Sequence, residues 1–66
     1  MTALNVAIFI FENAEVLDFC GPFEVFAATR SPADSARPFN VFTVAEHDAP
    51  IAARNSLIVY PNHTFA

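Results

Sequence analysis

The sequence predicts an α/β fold: the opening strand, helix and strand of a parallel sheet, followed by a small antiparallel hairpin. Three observations carry this. Leu4 to Phe11 is short, almost continuously apolar and rich in β-branched and aromatic residues, the pattern of a strand buried on both faces under covering helices. A longer apolar stretch from Val16 to about Thr29 has helical spacing. Phe39 to Ala45 then returns to the strand pattern, after a crossover long enough for a parallel, right-handed connection.

Each element follows from its residues. The first strand starts close to the N-terminus and is expected to be central or near-central in its sheet. Glu12-Asn13-Ala14-Glu15 is a polar break, with Asn13 as the expected cap of the next helix and the two acids suited to its positive end. Val16, Cys20, Phe23 and Ala27 fall on one helical stripe, with Phe19 and Phe26 beside it, which predicts the core-facing side and a buried Cys20. Glu24 falls on another face and is expected in solvent. Gly21-Pro22 predicts a kink or restart after a first short turn, because proline lacks a backbone donor and fixes φ.

Asp18 is the residue this pattern does not explain. It lies between Leu17 and Phe19, at the rim of the apolar stripe. Two readings stand. It caps the backbone amides around the Gly21-Pro22 break, or it is a functional carboxylate held at the edge of a core.

Ser31 to Pro38 is a loop, with Pro32, Pro38, Asp34 and Ser35 supplying turn chemistry. In the second strand, Val41, Thr43 and Ala45 share one face and Phe42 and Val44 the other. Glu46-His47-Asp48 is a charged turn whose histidine is expected in solvent. Pro50 to Ala53, a turn at Arg54-Asn55-Ser56, and Leu57 to Tyr60 predict a small antiparallel hairpin, or edge segments appended to the main sheet. Asn62-His63-Thr64 matches a glycosylation sequon, read as chance because nothing suggests secretion.

Composition limits function. The chain has 66 residues, 55% of them hydrophobic, and a net charge of −4. A lone domain of this size is marginal in stability. One cysteine allows no internal disulfide, and Cys20, His47 and His63 lack metal-ligand spacing, so no metal or other cofactor is expected. Three arginines among seven acids do not make a nucleic-acid surface. The apolar run Val6 to Phe11 is too short to span a bilayer, and no positively charged signal region precedes it, so a cytoplasmic protein is the expectation. Two main strands with one helix would leave apolar surface uncovered. The chain is therefore expected to be the N-terminal part of a longer α/β domain, or to complete itself by oligomerising.

Three segments carry a resemblance. Asn5-Val6-Ala7-Ile8-Phe9-Ile10-Phe11, the run Val16-Leu17-Asp18-Phe19-Cys20-Gly21-Pro22-Phe23-Glu24-Val25-Phe26, and Ser56 to Ala66 resemble the N-terminal part of the ThiJ/PfpI superfamily, which has the class I glutamine amidotransferase-like fold. The second run looks most like the branch that contains isonitrile hydratases and the ligand-sensing domains of AraC-type transcriptional regulators. The resemblance implies a partial, flavodoxin-like domain over residues 1–66. It also implies a small-molecule substrate or ligand and a homodimer for the complete protein.

In the hydratase branch, an acid in the place of Asp18 stands beside a nucleophilic cysteine on a downstream strand-to-helix elbow. That cysteine attacks the isonitrile carbon, and water completes hydration to an N-substituted formamide. Such a cysteine works as thiolate, and a carboxyl in an apolar setting can act as general acid. The elbow cysteine and the glycine-rich oxyanion loop have no counterpart among the 66 residues, and Cys20 occupies a position where the motif holds various small residues. Asp18 is the one catalytic candidate here, and the chain by itself is expected to be inactive.

Overall fold

Leu4–Phe9 forms β1 and Phe39–Ala45 forms β2, paired parallel from Leu4↔Phe39 to Phe9↔Val44. The computed structural model describes residues 3–65; Met1, Thr2 and Ala66, the last residue of the third resembling segment, lie outside them. A 13-residue helix α1, Val16–Ala28, connects the two strands. Ile51–Ala52 (β3) and Ile58–Val59 (β4) form an antiparallel hairpin, and His63–Thr64 (β5) returns to the main sheet. The described residues are thus mixed α/β, with a parallel sheet in the order β1-β2-β5 and one helix on it.

The third strand is absent from the sequence-based expectation, and its presence corrects the place of β1. Instead of being central, β1 lies at the edge of the described sheet. Two residues have no legible strand pattern, and β5 owes its register to a side chain. The Asn62 Oδ1 accepts from the Thr43 amide (2.9 Å) and hydroxyl (3.2 Å), while the Asn62 amide donates back to the Thr43 Oγ1 at 2.9 Å. Thr43 is buried. Asn62→Ala leaves the Thr43 amide without that acceptor, which is expected to cost about 1–3 kcal/mol. A urea denaturation midpoint equal to that of the parent would show the pair to be dispensable.

Burial along β1 alternates, so the expected double burial is also corrected. Val6, Ile8 and Ile10 point to the helix side, with Val41, Thr43 and Ala45 of β2 beside them. Asn5, Ala7, Phe9 and Phe11 point to the other side, where no described element covers them. The core lies on the helix side near the carboxyl ends of the strands: Ile10, Ala14, Phe19, Ala45, Ile51 and Ala53, with Ile8, Val16 and Val59 packed on it. At the other end the Phe26 ring meets Phe39 edge-on at 5.0 Å.

Helix α1 is continuous through Pro22, where a break was expected. Its sequence is poor in strong helix formers, so packing of its apolar stripe holds it rather than propensity. Phe19 anchors that stripe at 6% exposure, with Val16, Phe23, Phe26 and Ala27 half-buried. The stripe is rotated toward Phe19 and Phe26, which carry the larger apolar surfaces. Cys20 consequently lies in solvent, not in the core as expected. Glu24 is exposed, and Leu17 and Val25 point outward. The last turn is closed by side chains. The Thr29 hydroxyl donates to the Val25 carbonyl (2.6 Å), and the Arg30 guanidinium donates to those of Ala27 and Thr29.

Asn13 does not cap the helix. It adopts φ 64° in the β1–α1 turn, a left-handed conformation that asparagine tolerates, and the cap position falls to Glu15, whose side chain makes no capping hydrogen bond to the helix. The sole glycine, Gly21, is inside the helix, so every described left-handed residue (Asn13, Ser35, Asn55 and Ser56) is an asparagine or a serine.

Candidate functional site

The carboxyl ends of parallel strands are where α/β sheets hold ligands, because the connections diverge there and leave a crevice. Here β1 and β2 end side by side, and each is followed by an acid: Glu12 lies just after Phe11, and Glu46 directly after Ala45. Between them lies a cavity of about 190 Å³. Phe9, Ile10, Phe11, Ala45, Pro50 and Ile51 make its walls mainly apolar, and Glu12, Glu46 and His47 supply the polar groups.

These polar groups differ in how they are held. Glu12 is tied to the hairpin, its Oε1 accepting from the Ala52 amide at 3.1 Å. The same segment is fastened by the Asn13 amide to the Ala52 carbonyl (2.7 Å) and the Arg54 amide to the Ala14 carbonyl (2.8 Å). A half-exposed ion pair, Arg54 Nη1 to Glu15 Oε1 at 2.8 Å, adds at most about 1 kcal/mol. Glu46 and His47 are exposed and 3.6 Å apart, which agrees with the expected solvent-facing charged turn.

Asp18 stands in the first turn of α1, where a carboxylate is favoured by the positive end of the helix. It is exposed, and its carboxylate has no hydrogen bond or ion pair among the described residues. The cap reading fails for a physical reason: because the helix does not break at Gly21-Pro22, no free amides arise there for Asp18 to accept from. Its apolar neighbours separate, Phe19 into the core and Leu17 into solvent at 79% exposure, so they do not enclose it. Asp18 does not line the crevice. The described residues gather no set of three or more His, Cys, Asp and Glu for a metal, and none of their helices is long and apolar enough to cross a membrane.

The crevice residues escaped the sequence reading, although a signal for them was present: an acid after each of two successive parallel strands. No protein-family model, curated protein or solved structure matches the chain.

Proposed function

We propose that residues 1–66 belong to a ThiJ/PfpI-like domain with a flavodoxin-like sheet, whose activity is most like the hydration of an isonitrile to an N-substituted formamide. What supports the reading is the position of Asp18. The Leu17-Asp18 pair of the resembling segment forms the first turn of the helix that follows the first strand of a parallel sheet. The carboxylate is therefore at the ligand-binding end of the sheet and is not consumed by a structural bond. Its role is to accept a hydrogen bond from a cysteine thiol supplied from outside these residues, take the thiol proton and deliver it to the isonitrile carbon as the sulfur attacks that carbon, giving a thioimidate. Water then adds to the same carbon and expels the thiolate, so the net change is addition of one water.

The test has two stages. The coding sequence beyond Ala66 is expected to continue into an apolar strand, a glycine-rich loop and a cysteine flanked by small residues. In that longer protein Asp18→Asn is expected to lower isonitrile hydration by roughly 10²–10⁴-fold. Purified residues 1–66 are expected to give no turnover. Turnover by the 66-residue chain, or full activity of the Asp18→Asn protein, would refute the assignment. A continuation without that cysteine but with a basic helix-turn-helix would replace it with the sensor domain of an AraC-type regulator.

A further inference from the structure

The charges of the chain are unevenly placed. Because α1 runs back along the sheet, its first turn lies at the carboxyl ends of β1 and β2 and its last turn at their amino ends. Five of the seven acids therefore gather at the carboxyl end: Glu12, Glu15, Asp18, Glu46 and Asp48. Arg54 is the one cation with them, and it is held by Glu15 at 2.8 Å. Glu24 and Asp34 lie towards the other end, as do Arg30 and Arg37, which balance them. The whole side-chain charge of −4 is thus at the end of the sheet where the crevice opens. The crevice itself is lined by no described Lys or Arg, and Phe9 and Phe11 stand at its wall with ring centroids 5.5 Å apart. One oxygen of Glu12 takes the Ala52 amide, and its other oxygen has no hydrogen bond or ion pair among the described residues. Glu46 meets His47 at 3.6 Å.

We infer that the crevice binds a small organic cation, an alkyl- or quaternary ammonium group, with its charge towards Glu12 and Glu46 and its carbon atoms against the apolar wall. Three arguments select this ligand. The first is charge: a concave site with apolar walls, at the end that carries all of the net charge, focuses a negative potential and concentrates cations. The second is the wall. A metal ion needs several oxygen ligands, and the side chains of Phe9, Ile10, Phe11, Ala45, Pro50 and Ile51 offer none. An ammonium group is attracted to aromatic rings and buries its carbon atoms against aliphatic ones. The third is size. At about 190 Å³ the crevice is below the ~300–1,000 Å³ of sites for drug-sized ligands, so its occupant has only a few heavy atoms. Elements that cover the faces of the sheet in a longer domain leave this site in place, because α/β sheets keep the carboxyl ends of their strands for ligands.

Asp18 does not line the crevice, so the inference is independent of the isonitrile reading, and its test measures binding rather than turnover. Choline is titrated into the longest protein that the coding sequence yields, so that every element covering the sheet is in place, and amide chemical shifts are followed by NMR. Saturation is expected with a dissociation constant on the order of 1 mM, with the shifts centred on Glu12, Glu46 and His47. The uncharged alcohol in which carbon replaces the choline nitrogen has the same shape and is expected to bind about 10-fold more weakly. Glu46→Gln and Glu12→Gln each remove one charge and are expected to weaken choline by about 3–10-fold. Both are expected to fold, because Glu46 is exposed and a glutamine at position 12 still accepts from the Ala52 amide. Glu24→Gln removes the same charge from the far part of α1 and is expected to bind like the parent. Absence of saturable binding, equal affinity for choline and the alcohol, or an equal loss in Glu24→Gln and Glu46→Gln would overturn the proposal.

Discussion

Phe19→Ala is expected to abolish cooperative unfolding of this chain. Phe19 is the one large aromatic side chain in the buried cluster, and it joins α1 to Ile10 of the first segment, Ala45 of β2 and Ile51 of the hairpin. Its truncation removes the ring's burial and leaves a cavity, at a cost of about 3–5 kcal/mol. A domain of this length has roughly 3–10 kcal/mol of stability in total. Among the described residues no second buried cluster can compensate, because the remaining phenylalanines are half-buried or exposed. Thermal unfolding followed by far-UV circular dichroism is the measurement. A sharp transition within a few degrees of the parent would mean that the core does not depend on Phe19.

Pro22→Ala is expected to act in the opposite direction. Pro22 is inside a continuous helix, so the Asp18 carbonyl lacks the donor that residue 22 would normally supply. A helix-interior proline costs about 3 kcal/mol relative to alanine. Part of that is offset because proline also restricts the unfolded chain, by about 0.4–1 kcal/mol. The net expectation is a gain of about 2 kcal/mol, read as a higher urea midpoint with an unchanged slope. A neutral or destabilising result would mean that the helix is accommodated to its proline and that the Asp18 carbonyl is satisfied by solvent.

The parallel pair and the hairpin were legible because their residues carry the signal locally. Phe39 to Ala45 matches β2 residue for residue, and the turn at Arg54-Asn55-Ser56 separates β3 from β4 as its composition suggests. The strand β5 was not legible. It has two residues, follows a proline and is registered by the bonds of Asn62 to Thr43, a partnership nineteen residues apart in the chain. The helix was legible as a helix but not in its rotation. A wheel weighs positions equally, whereas the sheet selects the rings of Phe19 and Phe26 over the small thiol of Cys20. For the candidate site, Asp18 was expected either to cap the Gly21-Pro22 break or to be a carboxylate held at the edge of a core; it makes no capping bond, and its exposure was not foreseen. The burial of a residue at the edge of a stripe depends on what lies next to the helix, and the stripe does not encode that.

The bonds between the β1–α1 turn and the hairpin have a consequence for how the chain is assembled. Asn13 reaches Ala52, Glu12 receives the Ala52 amide, and Arg54 reaches Ala14, so segments about forty residues apart close a ring. The crevice is bounded by residues from both sides of that closure, so it does not exist in any partly folded form in which strand, helix and strand have docked alone. Each closure spans about forty residues, close to the 35 that separate the paired strands β1 and β2, so its chain entropy is nearly the same. The walls of the crevice need both closures in place. A ligand held there would act on the whole fold, fastening the beginning of the sequence to its end.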